Sequence, residues 1–181
     1  MAIRDALVSF STPTAPDLLA QVTGTYIANN IIDLGLSGLP ASIAGGGGGG
    51  ARDIAVGDDP MLKLSVDVVV AFTSAGAATL QLELDGSIDG GTGAPTTYTI
   101  MWQSQAIALA NLGVGELCNI DVPRPVPGQA LPRFLRLRYI IGGATTTAGQ
   151  CVAGIVIDRF DQIIGPTSLL SGYPPGITIA N

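Results

Sequence analysis

Two acidic turns have the residue types that could bind a hard cation such as calcium. Asp58 and Asp59 precede a proline, and Asp85 and Asp89 flank a Gly-Ser-Ile turn that continues into two glycines. Neither turn has the ligand number or the terminal glutamate of a calcium-binding loop, and ordinary turns also use Asp and Gly. The sequence therefore favours turn residues over a metal site, and we expect no metal and no other cofactor.

Two arginines could bind anions. Arg136 and Arg138 lie two residues apart in an alternating stretch, so both project from one face of a strand, where they could meet carboxylates or phosphates. In an isolated monomer the pattern favours a solvated outer face. In an assembly, the same row is a candidate contact with a partner.

The remaining reactive side chains have simpler interpretations. Cys118 and Cys151 fall at positions that read as inward, which favours small buried apolar residues over reactive thiols. Tyr98 and Trp102 could stack against a sugar, but a core or interface role is favoured. The run of six glycines is not followed by Gly-Lys-Ser/Thr and is not a G-x-G-x-x-G motif that opens onto a helix. It therefore does not match the glycine-rich loops that bind nucleotide phosphates.

Composition narrows the function further. The chain has no histidine, which removes imidazole bases, serine-histidine-aspartate triads and histidine-ligated metal centres. The formal net charge is −6, and only Arg133, Arg136 and Arg138 form a basic cluster. Because nucleic-acid binding usually needs a basic face, we expect no nucleic-acid partner. We also expect no enzymatic activity.

These residues must be positioned by β-strands. Only 12% of the residues are charged, whereas Gly reaches 25 residues and Pro 12, which favours short strands joined by turns. Residues 62–72 alternate apolar with mostly polar residues, and the alternation resumes after residues 73–77. We predict that these two strands form an antiparallel hairpin. The residues predicted to point inward are Leu62, Leu64, Val66, Val68, Val70, Phe72, Ala78, Leu80, Leu82 and Leu84.

Further strands are predicted along the chain, with no convincing helix. They include residues near 97–102 and 116–122, then Leu135, Leu137 and Tyr139 alternating with the two arginines, and a last strand that ends near Asp158. This spacing predicts an antiparallel sandwich or barrel. The strongest apolar run, residues 66–72, is too short to span a membrane, and the N-terminus lacks the apolar stretch of a secretory signal.

Several motifs resemble, in their order, the jelly-roll capsid cement (decoration) proteins of tailed bacteriophages. The first part of the series is Asp33-Leu34-Gly35, Arg52-Asp53-Ile54 and Ala71-Phe72-Thr73-Ser74-Ala75-Gly76. It continues with Pro132-Arg133-Phe134-Leu135-Arg136-Leu137-Arg138-Tyr139, the turn Thr147-Ala148-Gly149 and Val152-Ala153-Gly154-Ile155-Val156-Ile157-Asp158. The resemblance covers about residues 1–158.

The resemblance implies an all-β antiparallel sandwich of jelly-roll type with no enzymatic activity. It implies a cement domain over residues 1–158, with a flexible Gly-rich loop at 36–52, an extended N-terminal arm and an extended tail over 159–181. Such a protein would be made in the cytoplasm of the host bacterium. It would then bind the outer capsid surface of the virion and bridge neighbouring major capsid proteins, with sister copies forming a dimer or a trimer.

We expect residues 1–10, 36–52 and 160–181 to supply much of the contact with the capsid or with sister subunits. Apolar, Gly- and Pro-rich segments can become ordered on a neighbour, at an entropic cost that buried area offsets. The individual residues assigned to this contact are Arg4, Phe10, Arg52, Arg136, Arg138, Ile163, Ile164, Leu169, Leu170, Tyr173 and Ile177.

Two alternatives remain for a jelly roll. One is a receptor- or carbohydrate-binding module of a tail fibre, which would need exposed aromatic side chains or a calcium pocket. The other is an enzyme of the cupin type, because one fold can carry many functions. The absence of histidine argues against the usual cupin metal centre.

Overall fold

A computed structural model describes residues 9–34, 62–123 and 132–157 of the chain. These residues form ten strands and one 3₁₀ turn, and they contain no α-helix. None of the described segments is therefore a helix with the length and hydropathy needed to cross a bilayer. The strands are β1 (Asp17–Leu18), β2 (Gly24–Ile27), β3 (Ile32–Asp33), β4 (Leu62–Ser74), β5 (Thr79–Ser87), β6 (Thr99–Gln103), β7 (Ile107–Ala108), β8 (Gly115–Asp121), β9 (Phe134–Gly142) and β10 (Thr146–Ile157).

The strands form two antiparallel sheets that pack against each other. The first sheet has the order β1-β10-β4-β8, and the second has the order β2-β9-β5-β6, with β3 beside β9 and β7 beside β5. The first strand thus lies next to the last in one sheet, while the second lies next to the ninth in the other. This nested order is that of a jelly roll. The prediction of an all-β antiparallel sandwich is confirmed.

The predicted hairpin between β4 and β5 is wrong. Strand β4 pairs with β10 and β8 in the first sheet, whereas β5 pairs with β9, β6 and β7 in the second. Residues 75–78 therefore carry the chain from one sheet to the other. Alternation of apolar and polar residues specifies which face of a strand is buried, but it does not specify which strand supplies the hydrogen bonds.

The core lies between the two sheets and contains most of the predicted inward residues. Those confirmed as buried are Leu64, Val66, Val68, Phe72, Ala78, Leu80, Leu82 and Leu84. Among the predicted residues whose burial the structure describes, Val70 is the exception, with 40% of its surface exposed, and Val69 is exposed to the same extent. The burial of Leu62, also predicted to point inward, lies outside the described part. Val68 pairs with Cys151 while Val70 pairs with Gln150, so β4 has one extra residue at this point. Such a β-bulge interrupts the alternation of faces.

The two ends of the sandwich differ in their connections. At one end, which we call the tight-turn end, residues 75–78 join β4 to β5 and residues 143–145 join β9 to β10. At the opposite end, which we call the long-segment end, lie Ser9, Leu34, Pro123 and the ends of β4 and β10 at Leu62 and Ile157. These residues flank 1–8, 35–61, 124–131 and 158–181, so all four stretches are joined to the sandwich at this end.

Candidate interaction surface

Arg136 and Arg138 project from the outer face of the second sheet, as their spacing predicts. They alternate along β9 with Leu135, Leu137 and Tyr139, which are fully buried in the core. Because β9 pairs with β5, Arg136 lies opposite Asp85, and Arg138 lies opposite Glu83. The tertiary structure thus places two arginines directly beside two acidic residues.

These four residues form a continuous arginine-carboxylate network. The Nε atoms of Arg136 and Arg138 each lie 2.7 Å from Asp85 Oδ2. Arg138 also forms an ion pair with Glu83 through Nη2, and Gln103 Nε2 donates a hydrogen bond to Glu83 Oε2 at 3.2 Å. The network spans β9, β5 and β6, so it ties three strands of the sheet together on the face opposite the core.

The carboxylates of this network are buried, although they lie on the outer face. Glu83 is 3% exposed and Asp85 is 0% exposed, whereas the two arginine side chains retain 19% and 23% of their exposure. The guanidinium groups therefore cover the carboxylates. Burial raises the pKa of Asp85 above its usual value, and the hydrogen bond and positive charge of Arg136 partly oppose that rise.

The sequence favoured a freely solvated arginine row, and the ion pairs correct that expectation. The partners are Glu83 and Asp85, also two residues apart, but the predicted hairpin placed them in a strand beside β4. The matching spacing of two acids and two arginines is a signal that could have suggested the β5–β9 pairing, because opposite charges are favoured across neighbouring strands.

The two aromatic residues considered for sugar stacking lie in different environments. The guanidinium carbon of Arg136 lies 3.7 Å from the centre of the Tyr98 ring, which is a cation-π contact. Trp102 pairs with Leu84 and packs against the core. The core or interface role that the sequence favoured describes these positions better than a shared stacking platform.

Arg133 forms a second charged group near the long-segment end. Its Nε and Nη2 atoms bind both carboxylate oxygens of Asp33 at 2.8 and 3.0 Å, and its Nη1 binds Asp89. The same guanidinium lies 4.8 Å from the Phe134 ring centre. One side chain therefore connects β3 and β9 to the loop that follows β5.

The two aspartates of the predicted acidic turn are engaged by protein groups, but Asp85 lies within β5 and only Asp89 lies in the turn that follows it. Asp89 Oδ1 accepts hydrogen bonds from the amides of Gly91 and Gly93 at 2.8 and 2.9 Å, as an ordinary turn residue does. Asp85 is held by the two arginines. Asp58 and Asp59 lie outside the described residues, and within the described ones no group of three or more acidic or cysteine side chains could hold a metal ion.

Both cysteines point inward, as the sequence predicts. Cys151 is fully buried and Cys118 partly buried, and they are not bonded to each other. Burial raises the pKa of Cys118 to about 11 and that of Cys151 to about 12. At neutral pH both thiols are protonated, which fits buried apolar residues rather than nucleophiles.

A buried carboxylate in the core was not found by sequence reasoning. Asp17 on β1 accepts a hydrogen bond from Tyr139 Oη at 2.7 Å and another from the Asn29 amide at 2.7 Å. Asp17 and Tyr139 are both buried, and burial raises the pKa of Asp17 despite these bonds. An aspartate beside a proline usually indicates a turn, so the sequence carried no signal for this site.

We predict that Asp17→Asn removes part of the pH dependence of stability. The folded protein holds the Asp17 proton at a pH where the unfolded chain has lost it, so wild-type stability falls as pH rises from about 4 through the raised pKa. Asparagine accepts the Asn29 amide bond through Oδ1 and donates Nδ2–H to Tyr139 Oη, which reverses the direction of that bond, and it has no proton to lose. Urea unfolding at several pH values should show wild type losing stability relative to Asp17→Asn as pH rises. Parallel curves would contradict this prediction.

The other residues assigned to partner contacts are either buried or outside the described part of the chain. The Phe10 side chain is fully buried in the core, so it offers no surface to a partner in this structure. Its aromatic character serves packing between the sheets instead. The remaining assigned residues lie outside the described part of the chain: Arg4, Arg52, Ile163, Ile164, Leu169, Leu170, Tyr173 and Ile177. The predicted loop at 36–52 and tail at 159–181 lie outside it as well.

Comparison with known protein families matches residues 19–155 to the Bbp16 family. The match covers more than half of the chain, beginning directly after β1 and ending within β10. No curated protein matches the sequence. Because the matched residues cover more than half of the chain, the chain belongs to the Bbp16 family, a phage-type family.

Proposed function

We propose that this protein is a structural component of a tailed-phage virion that binds the exterior of the icosahedral capsid. It cements neighbouring major capsid proteins and stabilises the mature shell. Membership of a phage-type family and the jelly-roll strand order support this proposal. The resemblance of the ordered sequence motifs to cement proteins supports the more specific part.

The observation that carries the proposal is that the two ends of the sandwich differ in the segments joined to them. The three stretches expected to make contacts, 1–10, 36–52 and 160–181, are all joined to the sandwich at the long-segment end. A cementing protein needs a wide contact area and many copies rather than a reaction centre. A rigid sandwich that concentrates its connecting segments at one pole suits this task, with the tight-turn end facing away from the shell.

The charged groups of the described residues also fit adhesion better than catalysis. Glu83 and Asp85 are neutralised by arginines, and Asp17 is enclosed in the core by Tyr139 and Asn29. Acids paired in this way hold strands together. Under this proposal the partners are the major capsid protein and sister copies, and the protein resides on the outer surface of the virion.

The proposal is tested by adding the purified protein to mature shells that lack it. We expect saturable co-sedimentation, a higher temperature of shell disruption, and release of the protein by mild denaturant before the shell opens. A chain without residues 160–181 should bind more weakly, with Val114→Ser as the control because Val114 is exposed at the tight-turn end. Absence of co-sedimentation by the full chain would refute the proposal, whereas unchanged binding of the shortened chain would refute only the role of the tail.

The carbohydrate-binding alternative has less support from the structure. Tyr98 stacks on Arg136 and Trp102 packs against the core, so the two rings do not share an open platform. Specific binding of the isolated protein to a glycan array would revive this alternative.

A further inference from the structure

The outer face of the second sheet has a regular arrangement around the arginine-carboxylate network. One row across the strands contains Ile27, Arg138, Glu83 and Gln103, and the next contains Arg136, Asp85 and Ile100. The second row lies in the half of β9 nearer the long-segment end, where β9 begins at Phe134, and the first row crosses β9 at its central residue, Arg138. This face therefore adjoins the pole at which the proposed contact segments are joined.

Two exposed isoleucines border the network on opposite edges of the sheet. Ile27 on β2 is 53% exposed and Ile100 on β6 is 52% exposed. They are separated by three strand spacings and one row, or about 15 Å. An extended segment of a partner protein could contact both isoleucines while passing over the arginines between them.

The charged atoms that remain available on this face are donors. Arg136 uses Nε to bind Asp85, and its two terminal nitrogens have no hydrogen-bond acceptor among the described residues. Arg138 likewise leaves Nη1 without an acceptor there. The Tyr98 ring lies beneath Arg136 and supports its guanidinium group, while the Tyr98 hydroxyl is buried and is not among the available donors. The carboxylates lie beneath the guanidinium groups, so an approaching molecule meets unused N–H groups first.

We propose that this arginine face, defined by Ile27, Tyr98, Ile100, Arg136 and Arg138, docks a segment of the capsid subunit that carries a carboxylate between apolar side chains. The proposal rests on the proposed function and specifies its contact chemistry. A carboxylate can accept two parallel hydrogen bonds from a guanidinium group, and apolar neighbours bury the isoleucines. A basic segment would find no acceptor here, because both carboxylates are buried and already paired with the arginines.

A protein segment fits this face better than a nucleic acid. Polyanion binding relies on many basic contacts along a phosphate backbone, whereas this face offers two arginines on a chain of net charge −6. Two guanidinium groups framed by two isoleucines match a single acidic side chain with apolar flanks. Binding of single- or double-stranded DNA to this face at physiological salt would overturn the proposal.

The test introduces either a negative or a positive charge at the isoleucines that border the face, so the ion pairs of the arginines are kept. Ile100→Asp and Ile27→Asp should each weaken binding to mature shells by about tenfold, since like charges at an interface are unfavourable. Ile100→Lys should weaken binding less than Ile100→Asp, because both variants lose the apolar contact of Ile100 but only aspartate adds a charge of the same sign as the partner carboxylate. Val114→Asp and Val114→Lys are matched controls, because Val114 is 70% exposed and lies at the tight-turn end. Thermal unfolding checks that each variant is folded.

The outcomes separate this inference from the proposed function. If the wild-type protein does not bind shells, the proposed function fails. If the wild-type protein binds and the aspartate variants bind equally well, the cement function stands and the docking face is wrong. If lysine weakens binding while aspartate strengthens it, the partner is basic and the inferred chemistry is overturned.

Discussion

Arg138→Leu is expected to lower the free energy of unfolding by about 3–5 kcal/mol at neutral pH, the cost of leaving a buried charge without its partner. Arg138 contacts both Glu83 and Asp85, which are almost completely buried. After the substitution Asp85 keeps Arg136, while Glu83 keeps only the hydrogen bond from Gln103. Urea unfolding near pH 7 measures the loss.

The same variant should recover stability as the pH is lowered. Burial already raises the pKa of Asp85 above 3.8, and loss of Arg138 removes a neighbouring positive charge and raises it further. The folded variant therefore takes up a proton before the unfolded chain does, and the deficit should shrink from pH 7 towards about 4.5. Arg138→Lys, which keeps the cation, is the control and should lose less. A deficit below about 1 kcal/mol at both pH values would show that the ion pairs contribute little.

Gly143→Ala is expected to destabilise the protein by about 2–5 kcal/mol, through backbone strain together with a steric clash. Gly143 lies between β9 and β10 with φ of 74°, in the left-handed region that favours glycine. A Cβ atom there would lie 2.1 Å from the carbonyl oxygen of Ala77. Ala77 belongs to the crossing from β4 to β5, so the two short connections of the tight-turn end touch through backbone and cannot easily separate.

Gly93→Ala is the matched control for this prediction. Gly93 has φ of 76°, but a Cβ atom built there would meet nothing within 4 Å. Its substitution should cost only the left-handed strain, about 1–2 kcal/mol. Chemical unfolding of both variants separates strain from clash. Equal losses would mean that the β4–β5 crossing does not pack against the β9–β10 turn as the structure has it.

The division of the strands between two sheets could not be predicted from the alternation of residues along each strand. The alternation correctly identified seven core residues within β4 and β5, and also Ala78, which directly precedes β5. It did so because a half-buried strand must place its apolar side chains on one face. The same alternation is expected whether the two strands pair as a hairpin or lie in different sheets and face each other across the core. Only the pairing of β4 with β10 and of β5 with β9 distinguishes them, and those partners are far away in the chain.

The candidate interaction surface was anticipated only in part. The spacing of Arg136 and Arg138 placed both on an outer face, which the structure confirms. Their burial against Glu83 and Asp85 required knowledge of which strand lies beside β9. Phe10 was assigned to a contact surface because it lies in an N-terminal stretch, but the pairing of residues 9–11 with β10 brings its side chain into the core.

The sequence by itself determined the all-β class and the buried face of most of the strands it identified, because both follow from residue type and a period of two. Tertiary structure alone decided which charged groups neutralise each other. Arg136 and Asp85 are 51 residues apart, and Tyr139 and Asp17 are 122 residues apart. Hydrogen bonds and ion pairs at such separations depend on strand order and register, which no local pattern of residues encodes.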